Sequence, residues 1–184
     1  MLFTKGDQAL PKNYRPIAII PVFAKLYSML ILSRIQPQID EGFPVEQAGF
    51  RPGKGCADHI HTVRMMAEKS KEWGQTVWAA SLDLEKAFDK VFFEAVTDSL
   101  TSSGVAQGYI EAVADMYANL SLYVELDGAT TSRDVKVQRG VRQGDPLSPA
   151  LFNLVIPIVL RRVDVTWQRR QYGGTHQRAE GLRI

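Results

Sequence analysis

The stretch Ser81-Leu82-Asp83-Leu84-Glu85-Lys86-Ala87-Phe88-Asp89 is the one around which the other sequence patterns can be arranged. It follows Thr76-Val77-Trp78-Ala79-Ala80, whose β-branched and aromatic residues predict a buried strand that ends near Asp83. An aspartate at a strand end has rigid backbone behind it and an open loop ahead, which suits a metal-binding carboxylate. The simpler interpretation is a turn or a helix cap. Asp83 is therefore the first candidate for a functional residue.

A second unusual run, Gln138-Arg139-Gly140-Val141-Arg142-Gln143-Gly144-Asp145-Pro146-Leu147-Ser148-Pro149, lies downstream. Gly144 would let the backbone approach a ligand, and the amide of Gln143 can donate and accept hydrogen bonds at once. The alternative is a plain helix-entry turn, in which Ser148 caps the helix and Pro149 takes its first position. We expect the bend at Gln143 to fold over Asp83 and to form part of a ligand pocket with it.

Composition sets broad limits on the function. The 184 residues are 45% hydrophobic and 23% charged, as in an ordinary globular protein. A formal net charge of +2 permits a nucleic-acid partner without arguing for one. Cys56 is the single cysteine, which excludes an intrachain disulfide and a cysteine zinc cluster and favours an intracellular setting. No apolar run approaches the about 18 residues of a membrane-spanning helix, so no membrane partner is expected.

The remaining patterns predict helices with a few strands. Apolar residues recur at helical spacing over 22–35 and predict a core-facing stripe, formed by Val22, Leu26, Met29 and Leu30. Further helices are predicted over 57–73, 91–103, 107–119 and 150–163, with Gly104 as a C-terminal cap. A short strand is predicted over 17–20, and a hairpin is predicted over 122–126 and 134–138. This order favours an α+β fold over a doubly wound sheet.

The glycine-rich loop over 46–55 carries two cations, Arg51 and Lys54. Glycines let backbone N–H groups approach an anion closely, so the loop could contact phosphate. The alternative is a flexible turn whose charges are only solvated. It is not a Walker loop, because no Gly-Lys-Ser/Thr follows at the required spacing.

Four blocks, taken in order, carry a resemblance to a known family. They are Asn13-Tyr14-Arg15-Pro16-Ile17, Gln47-Ala48-Gly49-Phe50-Arg51-Pro52-Gly53, residues 83–89 and residues 140–153. The chain strongly resembles the reverse transcriptase domain of non-LTR (LINE-type) retrotransposons, from about Lys5 to Ile184. The resemblance implies a right-hand polymerase fold, with fingers-like residues 1–75 and a partial palm at 76–184. It also implies truncation before the Tyr-x-Asp-Asp hairpin and the thumb.

The resemblance implies roles for individual residues. Asp83 would be the catalytic ligand of Mg²⁺ or Mn²⁺, supported by the Leu84 backbone carbonyl, and Phe88 would exclude a ribose 2′-OH. The other implied nucleotide-binding residues are Gln143, Gly144, Arg15 and Lys5, and the implied template or phosphate contacts are Arg51, Lys54 and Arg142. Two metal ions would activate the primer 3′-OH and stabilise the leaving pyrophosphate. The implied partners are an RNA template, a DNA primer and dNTPs.

The sequence departs from the family pattern in one respect, because it contains no Asp-Asp pair. One carboxylate cannot hold two Mg²⁺ ions, so we expect little or no polymerase activity from this chain alone. We also expect an uncovered apolar palm face and poor solubility. Two alternatives stay open. The chain could be a non-catalytic remnant or RNA-binding module that keeps the fold, or an unrelated phosphoryl-transfer enzyme with Asp83 as nucleophile.

Overall fold

Helices dominate the computed structural model, which describes residues 2–3, 5–10, 13–15, 17–118, 120–123, 125–126, 129–130 and 135–169. The α-helices are α1 (Val22–Glu41), α2 (Cys56–Glu72), α3 (Phe93–Ser102), α4 (Gln107–Ala118) and α5 (Ser148–Arg169), and a 3-10 turn spans Phe88–Lys90. All five predicted helices are confirmed, although α1 and α5 each extend six residues beyond the predicted C-terminal end. Gly104, with φ +72°, follows α3 as expected of a residue in the left-handed conformation that often ends a helix.

The described strands are short and form separate antiparallel pairs. They are β1 (Leu2–Phe3), β2 (Tyr14–Arg15), β3 (Ser121–Leu122), β4 (Glu125–Leu126), β5 (Ala129–Thr130) and β6 (Val135–Lys136). In β3 and β6, Ser121 pairs with Lys136. In β4 and β5, Glu125 pairs with Thr130. The predicted hairpin is confirmed where β3 pairs with β6, but β4 pairs with β5, which lies between the two predicted strands. The α+β class holds in the coarse sense of helices with few strands.

The core lies where α3 packs against α4 and α5, and where α1 packs against α5. Its most deeply buried side chains are Ile35 and Ile39 of α1, Leu100 of α3, Leu147 just before α5, and Leu151 in the first turn of α5. Full burial of one such side chain stabilises the fold by roughly 1.5–3 kcal/mol. The start of α5, and the turn before it, are therefore held by the core.

The predicted core-facing stripe of α1 is wrong. Its buried residues are Ser28, Ile31, Ile35 and Ile39, spaced at three or four residues, whereas Val22 is 72% exposed and Leu30 is 54% exposed. Both stripes have helical periodicity, so the pattern alone did not decide between them. The buried stripe is the one that reaches the C-terminal half of the helix, beyond the predicted end at residue 35.

The predicted strands over 17–20 and 76–83 are also wrong. Neither segment has strand structure, and every residue from Thr76 to Asp83 is exposed, with Trp78 at 92%. A strand satisfies its backbone N–H and C=O groups by pairing with a neighbour, and no described strand lies beside either segment. β-forming residue types alone were not enough to make a strand here.

Although α1 and α5 are 20 and 22 residues long, neither is apolar enough to cross a bilayer. The same holds for every other helix in the described part of the chain.

Candidate functional site

Two stretches of the chain meet next to the core, and we call their contact the joint. One is the Phe88 segment, residues 88–91, and the other is the Gln143 turn, residues 140–145. The Gly140 N–H donates to the Val91 carbonyl at 2.7 Å, and the Val141 N–H donates to the Phe88 carbonyl at 2.8 Å. Gly140 has φ +99°, and a Cβ there would lie 3.0 Å from the Asp89 Cα. Only glycine fits without strain, because both the backbone conformation and the close approach exclude a side chain.

Gln143 is fixed at both its side chain and its backbone. Its Nε2 donates to the Asp89 Oδ1 at 3.2 Å. Its carbonyl accepts from the Ala18 N–H at 3.0 Å, and a Cβ on the neighbouring Gly144, whose φ is +108°, would lie 3.0 Å from the Ala18 carbonyl oxygen. Three distant parts of the sequence, at Ala18, Asp89 and Gln143, are therefore brought together.

Asp89 is the functional candidate that sequence reasoning missed. It stands six residues after Asp83, at the end of the same motif, but the sequence interpretation gave it no role. Among the described residues, no bond joins the Gln143 turn to Asp83, and the bond goes to Asp89 instead. The sequence did contain a signal for this, because the motif holds two aspartates, Asp83 and Asp89. The close approach of Gly140 to Asp89 determines that Asp89, and not Asp83, faces the Gln143 turn.

Asp83 and Leu84 lie in an exposed loop without regular structure. In the described part of the chain, no group of three or more Asp, Glu, His or Cys residues is placed to hold a metal ion. Mg²⁺ takes six oxygen ligands and is usually bound by one or two carboxylates together with waters and substrate phosphates. One exposed carboxylate does not form the two-ion site that the family resemblance implies, so the described residues do not fit a preformed metal centre.

Phe88 belongs to a row of three aromatic rings. Its ring stacks on Phe152 of α5 with centroids 4.7 Å apart and an interplanar angle of 13°. The Phe50 ring meets Phe88 edge to face, at 6.1 Å and 83°. Phe88 is half-buried and directly precedes Asp89, so the row lies beside the joint.

A buried polar cluster lies between the Gln143 turn and the helices α4 and α5. The Arg142 Nη2 lies 2.8 Å from the Asp145 Oδ2, and the guanidinium lies over the Tyr117 ring at 5.3 Å. The Asp145 Oδ1 accepts from the Leu147 N–H at 3.1 Å. The hydroxyls of Tyr117 and Ser148 share a hydrogen bond at 3.2 Å, and α5 begins at Ser148. Burial raises the pKa of Tyr117, with the Ser148 hydrogen bond opposing the rise.

Arg142 was predicted to contact template or phosphate, and its position in this cluster does not support that role. Its side chain is 13% exposed and is engaged with Asp145 and the Tyr117 ring. A phosphate contact would require it to leave a buried carboxylate, which carries a large free-energy cost. The role stays a prediction.

Arg51 closes the glycine-rich loop over 46–55. Its side chain is 9% exposed and donates to the Asp40 carboxylate at 2.8 Å and to the Asp40 carbonyl at 3.2 Å. It also donates to the carbonyls of Pro44 and Gln47, both at 3.0 Å. The last carbonyls of a helix lack partners within the helix, and Arg51 supplies donors to that end of α1. A template contact by Arg51 would require breaking these bonds.

Asn153 ties the same loop to α5. It is 1% exposed, and its Nδ2 donates to the Gly49 carbonyl at 2.6 Å. The Gln47 Nε2 donates back to the Asn153 Oδ1 at 3.2 Å. Buried amides of this kind are retained where both their donor and acceptor groups are satisfied. The loop is therefore fixed to the helix that also carries Phe152.

The remaining predicted contacts stay untested by the geometry. Lys5 and Lys54 are exposed, and neither forms an ion pair with another described residue. Arg15 has its backbone in β2, but its side chain lies outside the described residues.

Comparison with known proteins gives a consistent result. The family model described as "Reverse transcriptase (RNA-dependent DNA polymerase)" matches residues 4–176. The retrovirus-related Pol polyprotein from type-2 retrotransposable element R2DM of Drosophila melanogaster is 33% identical over 151 residues, which are 82% of this chain and 14% of that protein. The Transposon TX1 uncharacterized 149 kDa protein of Xenopus laevis is 30% identical over 156 residues, or 85% of this chain and 12% of that protein.

The RNA-directed DNA polymerase from mobile element jockey of Drosophila funebris is 28% identical over 158 residues, which are 84% of this chain and 17% of that protein. The matched part is a small share of each of these relatives, 12% to 17% of their length.

Proposed function

The chain belongs to the reverse transcriptase family, and from this membership we propose that it forms the nucleotide-binding part of an RNA-directed DNA polymerase of a non-LTR retrotransposon. Residues 1–75 would be fingers-like and 76–184 a partial palm. The partners would be an RNA template, a DNA primer and dNTPs. The observation that supports this most is the joint, because it brings Phe88, Gln143 and Gly144 to one place.

The hydrogen bond from Gln143 to Asp89 has a chemical consequence. A carboxylate only accepts hydrogen bonds, so it fixes which end of the Gln143 amide faces it. The Nε2 points to Asp89, which leaves the Oε1 and one N–H of the amide for another partner. In our proposal these groups contact the incoming nucleotide, and Asp89 acts as the positioning residue that sets their orientation.

Gly144 and Phe88 would complete this surface. Gly144 is exposed, so its backbone is open to a nucleotide, whereas its lack of a Cβ is required by the Ala18 carbonyl oxygen, 3.0 Å from where a Cβ would lie. The Phe88 ring is held in place by Phe152, and a rigid ring beside the sugar would select against a 2′-OH by steric exclusion. Both roles depend on the joint, which fixes the two elements relative to each other.

Mg²⁺ or Mn²⁺ stays our proposed cofactor for the complete active site, with Asp83 as one ligand and the Leu84 carbonyl beside it. Further carboxylates would have to join Asp83, since the described residues offer no cluster of ligands.

Photo-crosslinking of 4-thio-dTTP in the presence of poly(rA)/oligo(dT) would test the proposed pocket. We expect labelling of peptides from the Phe88 segment and the Gln143 turn, reduced at least about tenfold in Gln143→Ala by loss of the bonds to the base or sugar. Gln107→Ala, an exposed glutamine of α4, is the matched control and should label normally. Equal labelling of the two variants would overturn the assignment of the pocket.

Primer extension on the same hybrid, with Mg²⁺ or Mn²⁺, would test the activity of the chain itself. We expect little or no synthesis from residues 1–184 alone. Robust synthesis that is lost in Asp83→Asn would contradict that expectation while supporting the family activity.

A non-catalytic RNA-binding module is the second candidate, favoured by the absence of a ligand cluster among the described residues. Salt-dependent RNA binding that Asp83→Ala leaves unchanged, without any nucleotide labelling, would support it.

A further inference from the structure

Phe50 is an exposed aromatic residue in a strained backbone conformation. Its side chain is 64% exposed, and its φ is +55°. A bulky residue with positive φ is a genuine outlier, because the Cβ comes close to its own backbone. Among the described residues, Lys86 is the other non-glycine residue with positive φ.

The residues around Phe50 are what hold it in this conformation. On one side the Gly49 carbonyl accepts from the buried Asn153. On the other side Arg51 donates to three backbone carbonyls and to the Asp40 carboxylate. Strained residues persist where their surroundings over-determine them, and such residues cluster at ligand sites.

Packing does not explain why this position holds a phenylalanine. Burial of the ring contributes little, because about two-thirds of the residue is exposed. Glycine would adopt the same backbone conformation without strain. The ring is nevertheless supported from below, since it meets Phe88 edge to face and Phe88 stacks on Phe152. The result is a rigid ring that faces solvent beside the joint.

We propose that Phe50 stacks against an unpaired base of a single-stranded RNA. This rests on the proposed function and adds the residue that holds the template strand before the nucleotide pocket. Aromatic rings stack with every base, so the contact would not depend on sequence, as copying requires. Lys54, four residues on, is exposed and forms no ion pair with another described residue, which suits a neighbouring phosphate.

In this proposal the glycine-rich loop contacts RNA through Phe50 and not through Arg51. Arg51, which the sequence suggested as the template contact, builds the loop. Phe50, to which the sequence interpretation gave no role, is the side chain that the loop presents to solvent.

The test is equilibrium binding of fluorescent single-stranded oligo(rA) to the chain, measured at several salt concentrations. We expect Phe50→Gly to bind about tenfold more weakly, because stacking of one base is lost. The slope of log K against log salt should stay unchanged, since Phe50 neutralises no phosphate. Lys54→Ala should instead make that negative slope shallower by about 0.7. Phe50→Trp should bind as tightly as the parent or more tightly.

Stability measurements separate this role from a structural one. Phe50→Gly should unfold at the same denaturant concentration as the parent or a higher one, because glycine relieves the strain. Phe50→Asn is the second variant, since asparagine also tolerates positive φ and lacks an aromatic ring. Phe92→Ala removes a phenylalanine of similar exposure, 57%, outside the row of rings, and should bind normally.

The outcomes are distinguishable. If the parent chain binds RNA and Phe50→Gly binds equally well, this inference falls while the proposed function stands. If Phe50→Trp weakens binding as much as Phe50→Gly, the effect is one of loop shape and the inference also falls. Failure of both Phe50→Gly and Phe50→Asn to fold would make the ring structural and overturn it. If the parent binds no RNA, both this inference and the proposed RNA partner are overturned.

Discussion

Replacing Asp145 by alanine would leave the Arg142 guanidinium without its carboxylate next to the core. The Asp145 side chain is 0% exposed and the Arg142 side chain is 13% exposed, and the Arg142 Nη2 lies 2.8 Å from the Asp145 Oδ2. The change also removes the acceptor of the Leu147 N–H at the start of α5. The turn that carries Gln143 would lose both the ion pair and the hydrogen bond that Asp145 contributes.

The magnitude follows from burial. Removing one partner of a buried ion pair costs about 3–5 kcal/mol, because the remaining charge is left uncompensated. We expect the lower end, about 3 kcal/mol, because Arg142 keeps some exposure to water and lies over the Tyr117 ring. That is a large share of the roughly 5–15 kcal/mol by which a protein of this kind is stable.

Urea unfolding followed by far-UV circular dichroism would measure the change. Glu68→Ala is the matched control, because Arg64 and Glu68 form an ion pair of nearly the same length, 2.9 Å, with side chains 77% and 56% exposed. It should cost no more than about 0.5 kcal/mol. The double variant Arg142→Met/Asp145→Leu should be more stable than Asp145→Ala, since it leaves no unpaired charge. A cost for Asp145→Ala as small as that for Glu68→Ala would refute the reasoning.

Three further predictions concern the elements around the joint. Arg51→Lys keeps the charge but loses the forked geometry of the guanidinium, so it should lower the free energy of unfolding by about 2 kcal/mol. The salt dependence of RNA binding should stay unchanged, whereas a weaker salt dependence without loss of stability would favour a phosphate contact instead. Both Gly140 and Gly104 have positive φ, but of the two only Gly140 has other atoms within 4 Å of where a Cβ would lie. Gly140→Ala should therefore lower the free energy of unfolding in urea by about 2 kcal/mol more than Gly104→Ala does, and equal losses would contradict the close approach of Gly140 to Asp89. Burial raises the pKa of Tyr117 above its ordinary value of 10.0, so above that pH unfolding releases a proton and the free energy of unfolding should fall as pH rises. Tyr117→Phe should make this fall shallower, and a pH dependence of unfolding that stays the same in the variant would count against the buried phenol.

The helices could be predicted because their signals are local. Spacing of apolar residues and the glycine after α3 depend only on neighbours along the chain, and all five helices were found. The face of α1 could not be predicted, because two apolar stripes were present and the choice between them depends on where α5 packs. The strand over 76–83 failed for a related reason, since a strand requires a partner that sequence patterns do not supply.

The candidate site was predictable in its motifs but not in its contacts. Phe88, Gln143 and Gly144 do lie together, as their motifs suggested. Which aspartate meets Gln143 depends on the close approach of Gly140 to Asp89, a tertiary contact between residues far apart in sequence. Similarly, Arg51 turns inward because the Asp40 carboxylate and three backbone carbonyls, one at the end of α1 and two in the loop after it, accept its hydrogen bonds, which its place in a glycine-rich loop did not indicate.

The joint is the feature on which the proposed nucleotide site depends most directly. Residue-resolved amide hydrogen exchange by NMR would test it, because the Gly140 and Val141 amides are hydrogen-bonded across it whereas the amides over 77–82 have no partner among the described residues. We predict exchange at Gly140 and Val141 at least about 100-fold slower than over 77–82. Rapid exchange at the Gly140 and Val141 amides of the Gln143 turn, together with slow exchange over 77–82, would contradict the hydrogen bonds of the joint and the site that depends on them.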